Sequence, residues 1–380
     1  MTLKCLLFCS DDKIVRVLRR VLSDLEIAVE HCTDSDSAIR KLTRQRFEAV
    51  IVDCTDEKVA SQVLRSARSA PCNKRAVAVA VVDGQKALRS AFELGAHFVL
   101  YKPVSSERSK ASFRAARALM KSERRRNTRI PIQIPVTLVA ADESGQQNTV
   151  STDLSEGGMA LQQFRRTKNA TRVRVQFTLP GTDSKIDCAG EFAWENAGRQ
   201  SGVRFVDLST ENRDQLNAWL KQHSPDMEAD DPPAACKLTD LSLGGCYLEM
   251  ASPFPVRTRL VLSMKVAQLE VEAEGMVRVM HPEVGMGVEL TQHTTQQREQ
   301  VEKFIQALMN SNGALPELVV KPEGIDNSDR ALSVSRDSDE VEDPLLDLFR
   351  IKYQLTTDEF QIELRKQRGS HTDRDATASV

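Results

Sequence analysis

The chain has 380 residues, too many for one ordinary hydrophobic core, so two or three domains are expected. Lys and Arg number 52 against 54 Asp and Glu, and the net charge of −2 excludes a general nucleic-acid binder of the strongly basic kind. Eight scattered cysteines without a CxxC pair exclude a disulfide framework or a zinc site, and no segment approaches the ~18 apolar residues of a membrane span, so a cytoplasmic protein is expected.

Residues 1–121 alternate between two patterns. "LKCLLFC" (3–9) is a short apolar run, and Ile14, Val17, Leu18, Val21, Leu22 and Leu25 then recur at helical spacing. "FEAVIVDC" (47–54) reads as a buried strand ending at Asp53, "RAVAVAVV" (75–82) as another, and "HFVLYKP" as a last one carrying Lys102. "SSERSKASFRAARALMKSERR" closes the region as a long helix. Five strands alternating with five helices predict an α/β doubly wound, five-stranded parallel sheet. Functional crevices of such sheets lie at the C-terminal ends of the strands, where Asp53 and Lys102 both fall.

This pattern resembles the response-regulator receiver family over about the first 120 residues. The resemblance implies a phosphoacceptor role for Asp53, partnered by Lys102 of the pair Lys102-Pro103, with Mg²⁺ required only if the domain is active. Three departures stand against activity. Cys9-Ser10 occupy the place of the family's acidic pair, with Asp11 and Asp12 one or two positions late. Val82-Asp83 replace its Ser/Thr. "DCTDEKVAS" lacks its Pro and Gly. The expectation is a degenerate receiver used for docking or dimerisation. A working phosphoacceptor, or simply a strand-end carboxylate paired with Lys102, are the alternatives.

"SERRRNTRIP" (122–131) follows, with Arg124, Arg125, Arg126 and Arg129. Alone it would read as a solvated linker. A nucleic-acid patch would interleave aromatics, and the chain has only 2 Trp and 3 Tyr. Beyond it, "IPIQIPVTLVA", "TVSTDLSEGGMALQ", "TRVRVQFTL", "KIDCAGEFAWEN" and "SGVRFVDL" are short strands with turn punctuation, predicting a small β-barrel or sandwich. A helix over 210–223 closes the segment, with Leu216, Trp219 and Leu220 on one face.

Arg125 and Arg129 form an RxxxR spacing, and "DLSEGG" supplies Asp153, Ser155 and Gly158. This combination, at the start of a β-barrel, looks like the PilZ domain. The resemblance implies binding of the bacterial second messenger cyclic di-GMP, a dianion carrying two guanines. Guanidinium forks suit its phosphates and the guanine O6/N7 edge. Asp153 can accept from guanine N1–H and N2–H₂, Ser155 offers a hydroxyl, and Gly158 permits a close backbone approach. Arg125 and Arg129 are the foremost ligand residues, with Arg124 assisting and Arg126 a solvated neighbour. They sit on an arm that could fold over the ligand and change its angle to the preceding helix.

The module then repeats. "KLTDLSLGGCYLE" (237–249) parallels "VSTDLSEGGMALQ" (150–162), and "VEAEGMVRVMHPEVGMGVEL" parallels "IDCAGEFAWENAGRQSGVRF". Asp240 follows Asp153 by 87 residues and Gly287 follows Gly202 by 85, which means two tandem domains. The second copy keeps Asp240, Ser242 and Gly245 but is preceded by "PDMEADDPPAACK" (225–237), without an arginine pair. Its acids Glu228, Asp230 and Asp231 would repel phosphates. A PilZ-like barrel that does not bind the ligand, and instead packs on the first copy or holds a partner, is expected. Borrowing an arm from elsewhere is the alternative.

The expected domains are therefore 1–121 receiver-like, 122–224 PilZ with the arginine arm, and 225–310 degenerate PilZ-like. A disordered acidic linker (311–344), an amphipathic helical segment (345–366) and a disordered tail (367–380) follow. Leu346, Phe349, Tyr353, Phe360 and Leu364 share one helical face, while Thr356 with Glu359 matches a capping box that would split the segment into two helices. This segment either docks back on the chain's own domains or enters a partner's groove. No catalytic constellation appears. The expected function is a non-enzymatic cyclic di-GMP effector that passes its signal to a protein partner through the receiver-like domain, the second barrel or the C-terminal helix, with no nucleic-acid partner and no metal of its own. The rivals are a phosphorelay regulator switched at Asp53 and a scaffold without ligand.

Overall fold

The computed structural model describes residues 2–84, 87–140, 145–162, 172–196, 200–223, 231–291, 295–311, 315–326, 343–350 and 357–376. The chain forms two compact units, one spanning Glu123–Ala229 and the other combining Thr2–Ser122 with Asp230–Val380.

The N-terminal domain runs β1 (Leu3–Phe8), α1 (Asp12–Asp24), β2 (Ile27–Cys32), α2 (Ser35–Arg44), β3 (Ala49–Asp53), α3 (Glu57–Ser69), β4 (Val77–Val82), α4 (Leu88–Glu93), β5 (Phe98–Tyr101) and α5 (Ser106–Asn127). Its five strands are all parallel, in the order β2-β1-β3-β4-β5. β3 and β4 are buried along their whole length because helices cover both faces of the sheet. Leu7, Ile51 and Val79 join the apolar cluster that holds α1 and α5 residues, while Leu6, Val50 and Ala78 join the one that holds α2 and α3 residues. This is the doubly wound sheet that the alternating pattern predicts.

The first barrel comprises β6 (Ile130–Pro131), β7 (Pro135–Ala140), β8 (Gln146–Ser155), β9 (Gly158–Gln162), β10 (Arg172–Thr178), β11 (Lys185–Glu195) and β12 (Ser201–Asp207), followed by α6 (Thr210–His223). Six strands close in the order β8-β7-β10-β11-β12-β9, with β9 returning to β8, and the short β6 adds to β8. β10 alternates, sending Val173, Val175 and Phe177 inward. α6 contributes Leu216, Trp219 and Leu220 to the same interior, and Trp219 Nε1 donates to the Pro180 carbonyl at 2.9 Å. Both polar and apolar halves of the indole are thereby satisfied.

The second barrel comprises β13 (Ala234–Leu241), β14 (Gly245–Glu249), β15 (Thr258–Val266), β16 (Leu269–His281) and β17 (Gly285–Thr291), then α7 (Thr295–Met309) and β18 (Glu317–Ile325). It closes as β13-β14-β17-β16-β15-β18. The place between β8 and β10, filled in the first barrel by β7, is filled here between β13 and β15 by β18, antiparallel to both neighbours. The barrel thus takes that strand from the C-terminal side of its helix rather than from the N-terminal side. Two expectations are corrected: residues 311–344 are not unstructured throughout, and the second domain does not end at 310. Leu318 and Val320 alternate inward within a polar stretch, and the acids that follow hide this short pattern from any composition average.

After β18, α8 (Pro344–Arg350) and α9 (Thr357–Ala376) form two helices. Leu345, Leu348, Phe349, Phe360 and Leu364 bury themselves against Tyr247 and Val279 of the second barrel. The segment docks back on its own chain. Tyr353 and Thr356 lie outside the described residues, as do 327–342. The tail expected to be unstructured from 367 is helical as far as Ala376. Within the larger unit, Arg117 Nη1 and Lys121 Nζ of α5 lie 2.6 and 2.8 Å from Asp231 Oδ1, and the Ser122 hydroxyl donates to the Glu323 carbonyl of β18. Asp231, expected to repel phosphates, is neutralised by these two cations; Glu228 and Asp230 lie outside the described residues. Among the described residues no helix is long and apolar enough to cross a membrane.

Candidate functional site

Two sets of predicted residues come together. The first lies at the C-terminal edge of the parallel sheet. Asp53, 7 % exposed, ends β3. Its Oδ1 lies 2.7 Å from Lys102 Nζ and accepts from the Thr55 hydroxyl at 2.8 Å, and its Oδ2 accepts from the Cys9 thiol at 3.4 Å. Burial alone would raise the Asp53 carboxyl, but the Lys102 ammonium and the Thr55 hydroxyl outweigh it and hold the group below the usual carboxylate range. Burial pushes the Cys9 thiol the other way, to about 11, so it stays protonated as a donor.

The Mg²⁺ that receiver chemistry uses does not fit this set. Mg²⁺ favours carboxylate and water oxygens in octahedral geometry. Beside Asp53 stand a protonated thiol and an ammonium, while the Asp11 carboxylate accepts from the Lys13 and Ile14 N–H groups as the cap of α1. Among the described residues no group of three or more His, Cys, Asp or Glu could hold a metal ion. Asp83 lies 3.7 Å from Lys102 and is largely exposed.

The second set lies on the first barrel. Arg124 and Arg125 stand in the last turns of α5, and the Thr128 N–H donates to both their carbonyls as the helix ends. The side chain of Arg126 lies outside the described residues. The chain then pairs with β8, Ile130 opposite Leu154 and Pro131 opposite Asp153. That register sets Arg129 beside Asp153, with Nη1 2.5 Å from Oδ1. The buried Ser151 hydroxyl donates to the Ile132 carbonyl at 2.7 Å and accepts from the Ile134 N–H at 2.9 Å, pinning the arm's exit to β8. Ser155 is 2 % exposed, and its hydroxyl donates to the Gly158 carbonyl at 2.8 Å, bracing the turn between β8 and β9. Gly158 has φ +153°, and a Cβ there would lie 2.1 Å from the Val203 carbonyl oxygen. Only glycine allows β12 to pass this close.

Strand pairing extends the site further than the motif. Asp153 pairs with Ala160, Ala160 with Gly202 and Gly202 with Trp194. Paired residues share a face, and their neighbours Met159, Leu161 and Val203 point into the barrel core. The row Asp153, Ala160, Gly202, Trp194 therefore lies on the outer face. Trp194 is 41 % exposed and lies across Gly202, where a Cβ would come within 2.1 Å of Nε1. Arg204, opposite Gly158, shares that face and pairs with Glu191 at 2.7 Å. Trp194 and Arg204 escape the sequence reading, although the alternation of β11 and β12 carries the signal for both.

The geometry defines a receiver-like α/β domain joined to two small barrels, the first with an arginine–carboxylate pair on its outer face. Residues 123–222 and 224–307 each match the PilZ domain family, two matches in tandem. No curated protein matches the chain. Among solved structures it is similar to the receiver domain of the sensor histidine kinase PA1611 from Pseudomonas aeruginosa, crystallised with magnesium in its active-site cleft. There the identity is 21 %, with 32 % of this chain and 98 % of that one covered, at a TM-score of 0.28. It is also similar to the PilZ domain of CeSA from a cellulose-synthesizing bacterium (20 % identity, 25 % and 97 % covered, TM-score 0.22). A third is the Bacillus subtilis inhibitor of motility MotI/DgrA (13 % identity, 25 % and 48 % covered, TM-score 0.22).

Proposed function

We propose that the protein is a cytoplasmic, non-enzymatic effector that binds cyclic di-GMP through its first PilZ domain and passes the signal to a protein partner. The observation that carries this reading is the Arg129–Asp153 pair on the outer face of the first barrel. Asp153 positions the guanidinium before ligand arrives, and each member offers what the ligand needs: a fork for phosphate or guanine O6/N7, and an acceptor for guanine N1–H and N2–H₂. Arg124 and Arg125 stand in the last turn of α5, within reach of the same anion by sequence. Ser155 and Gly158 serve by fixing the turn behind Asp153. Trp194, on the same outer row, offers an indole face for a guanine.

Calorimetry of the full chain with cyclic di-GMP tests the reading. Binding is expected, and Arg129→Ala should weaken it by on the order of 100-fold, the effect of losing about 2–3 kcal/mol of charge-assisted hydrogen bonding. Of the chain's two tryptophans, Trp219 is buried in the barrel core, so Trp194 is the one placed to report on ligand. A ligand-dependent change in tryptophan emission should vanish in Trp194→Phe. Absence of heat at micromolar protein would sink the proposal.

The receiver-like domain is best read as a docking module rather than a phosphoacceptor. Support comes from Cys9 at the place of an acid and from Asp11 engaged in capping α1.

A further inference from the structure

At the positions that form the candidate site in the first barrel, the second barrel presents a face that is already filled. Asp240 pairs with Tyr247, Tyr247 with Gly287 and Gly287 with Val279. This is the row that reads Asp153, Ala160, Gly202, Trp194 in the twin. A tyrosine replaces the alanine at its centre. Tyr247 is fully buried, and its hydroxyl accepts from Gln361 Nε2 of α9 at 2.9 Å and bonds to His281 Nδ1 at 3.0 Å. Phe360 of α9 packs on His281 and Tyr247, with ring centroids 4.4 and 5.5 Å away.

The glycines of the repeated motif hold the other helix. A Cβ at Gly287 would come within 2.5 Å of the Phe349 ring, and a Cβ at Gly244 would come equally close to Leu346. Asp343 Oδ2 accepts from the Gly244 N–H at 3.1 Å, while its Oδ1 accepts from the Leu345 and Leu346 N–H groups and caps α8. One carboxylate thus joins the helix end to the turn that follows Asp240 and Ser242. β18 completes the conversion. The strand that follows the arginine arm in the first barrel is supplied here from the opposite end, and the sequence before β13 carries no arginine pair.

We propose that the second barrel is a peptide receptor whose ligand is residues 343–350 and 357–364 of this same chain. The face that its twin offers to a small ligand has been rebuilt to hold an acid-capped helix with an apolar Leu345, Leu348, Phe349 core, extended by Phe360 and Leu364. In sequence, residues 327–342 connect β18 to this occupant. The peptide assignment stands apart from the nucleotide reading. Its corollary, that the tandem has one cyclic di-GMP site rather than two, rests on that reading.

The test uses the full chain with a specific protease site inserted within 327–342. After cleavage, gel filtration with mass detection at low-micromolar protein should show the C-terminal fragment still bound. Phe349→Ala should weaken its retention more than ~10-fold, as truncation of a buried aromatic anchor does. Ile362→Ala should leave retention unchanged, because Ile362 is 53 % exposed on α9. A labelled synthetic peptide covering 343–366 should exchange into the cleaved wild-type protein, and the same peptide carrying Phe349→Ala should not. This second arm needs no folded variant. Separation of the wild-type fragment on cleavage, or equal uptake of both peptides, overturns the proposal. A failed nucleotide titration would remove the single-site corollary and leave fragment retention unaffected.

Discussion

Asp53 and Asp153 are each set against a cation, but their surroundings assign them different work. Asp53 is almost fully enclosed, and its charge is matched by Lys102 within the fold. Because its folded carboxyl is held below the ordinary value, its stabilising contribution is complete above about pH 4, the unfolded aspartate value, and is lost as pH falls through the folded value. Thermal midpoints measured across pH 2–5 should therefore drop on the acid side, and Asp53→Asn should flatten that limb. Lys102→Ala should destabilise by about 3 kcal/mol in chemical denaturation, since it strands a buried carboxylate. A variant with unchanged stability would show that the pair is not structural. Asp153 sits with Arg129 nearer the surface, where both side chains are partly open to solvent. The sequence marks Arg129 and Asp153 as members of one site but not their direct pairing, which follows from the register of the short β6 on β8. The buried bracing role of Ser155 is not legible, since a hydroxyl in a turn reads the same whether it faces solvent or carbonyl.

Elements show the same division between what a pattern carries and what only packing decides. The parallel strands β3 and β4 are unbroken apolar runs and announce themselves. β18 does not: its inward residues alternate within a charged segment, and its partners β13 and β15 lie far away in sequence. Its importance is nonetheless direct. A chain ended at residue 310, the limit that the motif repeat alone would assign, leaves facing edges on β13 and β15 without their shared partner. Open edges of this length template association. Such a truncation should elute as oligomer or aggregate in gel filtration, whereas a chain ended at 326 should retain closed-barrel strand content by circular dichroism. A monodisperse, fully folded 1–310 protein would contradict this account of the barrel.

On the scale of the whole molecule, the tandem repeat was readable from its spacing, but the divergence of the two copies was only half visible. The missing arginines are in the sequence; the packing of α8 and α9 on this face depends on Tyr247, Gly244 and Gly287 meeting a segment from the far end of the chain. On the proposal that the first copy alone takes cyclic di-GMP, Asp240→Ala should leave affinity and stoichiometry within about twofold of the parent by calorimetry, in contrast to Arg129→Ala. The origin of β18 also orders events in time. The first barrel pairs β7 with β8 across 11 residues at Thr137–Asn148, while the second must join β13 to β18 across 82 at Cys236–Leu318. Closing the longer loop loses more chain entropy, and contacts so distant form late. On a translating ribosome the first barrel can be complete while its twin is still an open sheet, so the nascent chain closes the barrel that carries the arginine–carboxylate pair before the one that holds its own tail.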